Sequence, residues 1–414
     1  MARCSGWYAN KPALRRFVAD VIVGEMMRLR PGEAALPDQP WDDNLRIDEQ
    51  GVGLDSLERL TIAAALSEAL HLHESGVEDL LLARRGFGQW QQVVRHGLKH
   101  FDSQLTFRTS GTSGRPKSCS HLLAELRQEV IFLAGLLPGV KRVLTAVPSH
   151  HIYGFLWTVL LPSRLGCRKV IDVRHLTPQA LQRTLRAGDL IISHPVHWSL
   201  MTRHAIPFPL DVIGVSSTAD CPAKVARDLV KNGLSRLLQV YGSSERGGIG
   251  WREHSASRFQ LMPFWSRDAS GHHRLVRLTP SGERRSDELQ DHLAWYGDRS
   301  FRVRARRDQA VQVAGNNVHL NHVRRVLMQH PQVADAAVRL MTPSEGTRLK
   351  AYIVPTPHAE PTDLRADLTR WANTRLAASE RPRSFTVGVR IPRNERGKLT
   401  DWQLSAKREA SSRT

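Results

Sequence analysis

From about residue 102 onward, short runs rich in β-branched residues alternate with segments of helical spacing. "RVLTAVP", "KVIDV", "LIISH", "DVIGVSS" and "RLLQVYG" are the strand-like runs, and "LLAELRQEVIFLAGLL" and "AKVARDLVKNG" lie between them. This alternation predicts an α/β layered domain. From about residue 300 the pattern changes to a smaller α+β unit, with "AVQVAG", "DAAVRLM", "LKAYIVP", the helix "DLRADLTRWANTRL" and then "SFTVGVRIP". The final "SAKREASSRT" reads as a frayed end.

The first hundred residues read differently. "KPALRRFVADVIVGEMMRL" (11–29) and "LDSLERLTIAAALSEALHL" (54–72) carry apolar residues at helical spacing, and Asp55 or Ser56 stands at the N-cap of the second. "GVEDLLLARR" and "GQWQQVVRHGL" complete an expected small N-terminal helical bundle over 1–97. Charge divides at the same place. Residues 1–97 hold 11 Lys+Arg against 14 Asp+Glu, and the remainder 48 against 26, within a chain of net charge +19. A mildly acidic head on a basic body points to two units with different partners, or to an arginine-rich solvated surface.

Composition narrows the class. The chain has 414 residues, 41% hydrophobic and 24% charged, which is ordinary for a globular protein with a full core. No apolar run reaches the roughly 20 residues of a membrane helix, and Asp20 and Glu25 interrupt the N-terminal apolar stretch, so neither a transmembrane segment nor a signal peptide is expected. Four scattered cysteines without CxxC spacing read as reduced thiols of a cytoplasmic protein rather than a zinc site. No basic run or aromatic pattern supports nucleic-acid binding. Neither "GTSGR" nor "GSSER" completes the Gly-x-Ser-x-Gly of a serine hydrolase.

One loop carries the chemistry. In Thr109-Ser110-Gly111-Thr112-Ser113-Gly114-Arg115-Pro116-Lys117, two glycines permit tight turning, four hydroxyls donate, and Lys117 adds positive charge. The spacing is not that of a Walker A loop, and alone the composition is also that of a surface turn. It is followed in order by "PSHHIYGF" (148–155), "VYGSSERGG" (240–248), "WYGDRSFRVRARRDQ" (295–309) and "PRNERGKLTDWQL" (392–404).

This ordered set resembles the adenylate-forming superfamily of acyl- and aryl-CoA ligases, luciferases and peptide-synthetase adenylation domains, over about residues 104–404. The resemblance implies a large domain at 104–299, shortened relative to the family, and a C-terminal lid domain at 300–414. It implies ATP-dependent activation of a small carboxylic acid to an acyl-adenylate, followed by transfer to a phosphopantetheine thiol of CoA or a carrier protein, with Mg²⁺ as the metal. By the same resemblance Thr109, Ser110, Gly111, Thr112, Ser113, Gly114 and Lys117 cradle the β- and γ-phosphates. Tyr241 lies against adenine, Ser244 meets the α-phosphate and Glu245 holds Mg²⁺. Asp298 and Arg306 meet the ribose, Asp308 is the hinge, and Lys398 is the catalytic lysine of adenylation. His151 stands beside the acyl pocket, which "VSSTAD" (215–220) lines. Tyr296-Gly297-Asp298 replaces the family's Thr-Gly-Asp, and Ala305-Arg306 its Gly-Arg. The compact pocket region leans the acid towards a small aryl acid.

The head resembles an acyl carrier protein, with Asp55-Ser56-Leu57 opening its second helix. That resemblance implies a phosphopantetheine arm on Ser56; a plain helix cap is the other reading. The shortened core leaves a second overall reading, a catalytically impaired nucleotide-binding scaffold that docks acyl carrier proteins.

Overall fold

Alternation of side chains across each central strand splits the apolar residues between two faces, and this decides how the layers stack. The computed structural model describes residues 6–30, 40–109, 117–167, 169–253, 258–268, 273–306, 310–342, 345–357, 364–393 and 399–404, with backbone alone for Thr109, Ala305 and Arg306. The chain divides into two compact units, one ending near Asp308 and the other holding the residues from Gln309 on.

In the first unit, helices α1 (Lys11–Leu29), α2 (Ser56–Leu70), α3 (Asp79–Ala83) and α4 (Phe87–His100) precede the hairpin of β1 (Gln104–Thr109) and β2 (Lys117–Leu122). Then come α5 (Leu123–Gly135), β3 (Arg142–Thr145), α6 (Ile152–Phe155), a π-helical turn at Leu156–Leu160 and α7 (Leu161–Arg164). β4 (Val170–Asp172), α8 (Pro178–Thr184), β5 (Asp189–Ser193), α9 (Pro195–Arg203), β6 (Ile213–Ser216), α10 (Ala223–Lys231) and β7 (Arg236–Ser243) continue the alternation. Antiparallel strands follow: β8 (Gly247–Arg252), β9 (Phe259–Leu261), β10 (Trp265–Arg267), β11 (Arg274–Leu278), β12 (Arg284–Glu288), β13 (Asp291–Tyr296) and β14 (Ser300–Arg306).

Nine of these strands form one sheet in the order β13-β14-β9-β8-β7-β6-β5-β3-β4. β4, β3, β5, β6 and β7 are parallel, and the rest run antiparallel. The chain leaves β3 towards β4 and returns to β5 on the other side of β3, so the direction of winding reverses there. Such a reversal opens a crevice beyond the C-terminal strand ends, the usual ligand site of an open α/β sheet. The segment after β3 is "PSHHIYGF", and the segment after β7 is "GSSERGG".

Val143, Leu190, Ile192, Val215 and Leu238 pack on one face with α1, α2, α4 and α5. Leu144, Ile191 and Leu237 pack on the other with α8, α9 and α10. The head helices therefore share a core with the sheet: Phe17 of α1 and Phe107 of β1 each lie 5.5 Å, centroid to centroid, from Phe155 of α6. The four expected helices are present, but they lie in the same compact unit as the sheet rather than in a head unit of their own over 1–97. Asp55, not Ser56, caps α2. Its carboxylate accepts from Glu58 N at 2.8 Å, and Glu58 Oε2 accepts from Asp55 N at 3.0 Å, which closes a capping box. Ser56 is the exposed first residue of the helix.

The second unit holds the ribbon β15 (Val311–Val313) and β16 (Asn316–Val318), helices α11 (Leu320–Met328) and α12 (Leu364–Arg375), and a sheet of β17 (Val333–Leu340), β18 (Leu349–Pro355) and β19 (Pro382–Val387). Lys350 of β18 is fully buried. Its ammonium meets Glu345 and Asp401 at 2.8 Å and donates to the Trp402 carbonyl at 2.7 Å, tying down the segment 399–402. With the observed sheet and the small C-terminal unit, the expected α/β class with a lid-like α+β unit holds.

Candidate functional site

The turn after β7 is built around two buried carboxylates of α5. Glu129 is 1% exposed and accepts from Gly248 N at 2.9 Å. Cβ atoms on Gly247 and Gly248 would lie 2.8 and 2.3 Å from its oxygens, so the glycine pair makes room for it. Gly250 does the same for Phe301, whose Cζ would be 2.6 Å from a Cβ there. Glu125 receives Arg285 Nη1 at 2.8 Å, and Arg277 donates to the Glu125 and Arg246 carbonyls at 3.0 and 3.3 Å. From β2, His121 Nε2 donates to the Ser244 carbonyl at 2.7 Å, with burial lowering the imidazole's pKa. The backbone of Ser244 and Glu245 is thus fixed from both sides.

On this turn Glu245 Oε1 lies 3.0 Å from Lys117 Nζ, which joins the exit of the 109–117 loop to the turn after β7. Burial raises the Glu245 carboxyl, but bonds from Lys117 and nearby donors outweigh it and hold the pKa below the usual value. Glu245 is therefore an anionic hard-oxygen donor at neutral pH. A single carboxylate beside a loop expected to hold phosphates suits Mg²⁺, which takes one or two carboxylates and completes its shell with phosphate and water. Among the described residues there is no cluster of three or more His, Cys, Asp or Glu side chains able to hold a metal alone.

Tyr241 of β7 is half-buried against Phe259 and Phe301, at 5.8 and 5.5 Å between centroids. Its hydroxyl donates to Asp291 Oδ2 at 2.8 Å. Asp291 is 9% exposed and sits opposite Arg306 in the β13–β14 register. Asp298 is exposed in the hairpin turn at the other end of these strands, beyond Gly297 at φ 77°. At roughly 3.4 Å per residue the two aspartates are separated by most of 20 Å along the ribbon. The structure brings Asp291, not Asp298, to Tyr241 and to the backbone of Arg306. Asp298 stands out in the sequence because it completes a familiar tripeptide, and Asp291 does not. The spacing to Arg306, combined with a hairpin between the two positions, is the signal that finds Asp291.

His151 stands at the N-cap of α6. His151 is exposed, and desolvation lowers its pKa against a smaller raising effect of Asp20. His150 packs on it with centroids 4.1 Å apart. Gly154 is required because a Cβ would lie 1.9 Å from the Pro148 carbonyl oxygen. Tyr153 reaches over the strand ends, donating to the Ser193 carbonyl at 2.9 Å, and Ser217 donates to the Val240 carbonyl at 2.9 Å. The segments after β3 and β6 are thus tied to the C-terminal halves of β5 and β7.

Ser110 to Pro116, Asp308 and Lys398 lie outside the described residues, as do the side chains of Thr109 and Arg306. The ends of the segment that carries Lys398 are described: Arg393 and Leu399 form a bridge, and Thr400 N donates to the Pro392 carbonyl at 3.0 Å. Cys119, Cys167 and Cys221 are buried free thiols. No described helix is long and apolar enough to cross a membrane.

The parallel half of the sheet with its reversal crevice, an anionic carboxylate beside a loop lysine and an aromatic–carboxylate pair across the antiparallel strands make the arrangement of a nucleotide-binding α/β enzyme. The chain belongs to the AMP-binding enzyme family, whose description matches residues 59–270, and the AMP-binding enzyme C-terminal domain matches residues 323–398. It is 40% identical over 369 residues to a 4-coumarate–CoA ligase of Cereibacter sphaeroides, covering 88% of this chain and 87% of that protein. A 4-coumarate–CoA ligase of Halorhodospira halophila is 38% identical, with 94% of this chain and 99% of that one covered. A solved o-succinylbenzoate CoA synthetase from Bacillus subtilis shares the fold at TM-score 0.60 and 17% identity, over 94% of this chain and 91% of that one. The protein is accordingly an acid–thiol ligase of this AMP-binding family.

Proposed function

We propose that the acid is an aryl acid of the 4-coumarate type and that the thiol acceptor is free CoA. The observation that carries this reading is the match to 4-coumarate–CoA ligases along nearly their whole length. Relatives matched over that share of their own chains are of similar size to this one, so the shortened core is compatible with a complete ligase. This also argues against an impaired scaffold that docks carrier proteins.

The roles in this reading come from the resemblance, joined to the described geometry around Glu245, Tyr241 and Asp291. Loop 109–114 and Lys117 hold the β- and γ-phosphates through backbone N–H groups, hydroxyls and the ammonium. Glu245 holds Mg²⁺, which when bound neutralises charge on the polyphosphate. Tyr241 orients the adenosine, with Asp291 and Arg306 as its ribose-side partners in place of Asp298. Ser244 donates towards the α-phosphate. In the first half-reaction a carboxylate oxygen attacks the α-phosphorus and pyrophosphate leaves. Lys398, in the role the resemblance implies, stabilises the charge that builds there. In the second, the CoA thiolate attacks the acyl carbon and AMP leaves with the bonding electron pair. His151 borders the acyl group in both.

The test is thioester formation from ATP, Mg²⁺, CoA and single acids, followed by absorbance and pyrophosphate release. Turnover with 4-coumarate well above that with medium-chain fatty acids supports the reading. Preference for an aliphatic acid, or acyl-adenylate made with no transfer to CoA, overturns it.

A further inference from the structure

Helix α1 lies ahead of residue 59, where the match to the AMP-binding enzyme family begins, yet it touches the turn that carries His151 at two points. Asp20 is 1% exposed. Its Oδ2 accepts from Ser149 N at 2.7 Å and from Ser149 Oγ at 2.6 Å, and its Oδ1 lies 2.7 Å from Arg174 Nη2. Arg174 also pairs with Asp172, at the end of β4. One helical turn further along α1, Gly24 faces His150, and a Cβ there would sit 2.8 Å from His150 Nε2. A carboxylate grips the residue before the histidine pair, and a bare patch of helix seats the first histidine.

We propose that α1 is the positioning element of the acyl side of this site: Asp20 fixes Ser149, Gly24 seats His150, and together they set the direction of His151. This rests on the reading that His151 borders the acyl group. The charged and titratable groups around the turn are Asp20 and Arg16 on α1, Asp172 at the end of β4, Arg174 beyond it, and His150 itself. Of these Asp20 raises the His151 pKa, against the larger lowering by desolvation.

The test uses the full chain with Asp20→Asn, which keeps the shape and one acceptor but removes the charge. Two readouts are followed: the titration of the His151 ring resonance, assigned with His151→Gln, and the KM values for acid and for ATP. The expected result is a His151 titration at lower pH, and an acid KM raised about tenfold, as for one charge-assisted hydrogen bond. The ATP KM stays within about twofold, because the lesion is on the acyl side. An unmoved titration, or equal losses for both substrates, overturns the proposal. If Asp20→Asn does not fold, Ser149→Ala removes one of the two bonds and leaves the charge. A rise in KM confined to the acid then supports the proposal, and no change or an equal rise for ATP overturns it. If the wild-type protein activates no acid, the functional reading fails, and the titration still decides whether α1 sets the state of His151.

Discussion

Tyr241 donates its hydroxyl to Asp291 at 2.8 Å, and Asp291 lies opposite Arg306 across the β13–β14 ribbon. This places a carboxylate, a phenol and the backbone of an arginine at one end of a hairpin whose other end carries Asp298. The first end is joined to the turn that holds Ser244 and Glu245 through β7, which carries Tyr241 and leads into that turn.

The first prediction separates the two aspartates. Asp291→Asn should raise the KM for ATP by about tenfold or more, since a hydrogen bond to a charged group contributes roughly 1.5–3 kcal/mol. Asp298→Asn, in an exposed turn, should leave it within about twofold. Steady-state pyrophosphate release at varied ATP measures both. Equal effects, or the larger loss in Asp298→Asn, would return the ribose contact to the hairpin turn.

Lys117 and Glu245 give the second. In the free protein they neutralise one another, half-open to solvent, so the pair contributes little to stability. The Glu245 pKa is depressed, so any stability it adds is present at neutral pH and is lost as pH falls through its folded-state value. Glu245→Gln should therefore leave the melting temperature nearly unchanged, yet raise the Mg²⁺ concentration needed for half-maximal rate. Lys117→Ala should raise the KM for ATP instead. A large fall in melting temperature in either variant would mean that the pair is structural.

These contrasts show what the sequence made legible. Strand and helix alternation was readable because β-branched runs such as "LIISH" have no other stable use. The head misled for a physical reason. Each of its helices is amphipathic, and periodicity reports that a helix has a buried face without saying what covers it. Here the covering layer is the sheet, through contacts such as Phe17 on Phe155, and those join residues far apart in sequence. Glu129 and Asp20 were invisible for the same reason. A carboxylate inside an apolar helix reads as an interruption until the glycine pair or serine that it serves is brought to it.

The capping box supplies the third prediction. Asp55→Ala should destabilise the protein by about 1 kcal/mol, the usual loss for an N-cap. Ser56→Ala, at the exposed first position of α2, should change neither the melting temperature nor the rate of CoA thioester formation. Thermal melts and turnover of the two variants check it. Loss of turnover in Ser56→Ala with the fold intact would point to a modified serine.

The last prediction concerns Glu129, whose burial lifts its carboxyl to about 7, against the smaller opposing effects of the Gly248 N–H and Arg277. Its folded-state pKa lies above the unfolded one, so the folded protein holds a proton that the unfolded chain releases. The stability this adds is full below the unfolded carboxyl pKa of roughly 4.3, declines as pH rises, and is gone above about 7. Glu129→Gln keeps an oxygen acceptor for Gly248 N and has no proton to lose. The stability of this variant relative to wild type should therefore grow by up to about 3 kcal/mol between acid and mildly alkaline pH, because each tenfold change in proton affinity is worth about 1.36 kcal/mol. Urea unfolding at several pH values measures the difference, and taking it between two chains that share every other carboxylate removes their common titration. A pH-independent difference would mean that Glu129 titrates alike in the folded and unfolded chains and is ionised at neutral pH beside Arg277. The same carboxylate would then anchor the Ser244–Glu245 turn as a fixed charge, and the pH dependence of ATP turnover would be unaltered in Glu129→Gln.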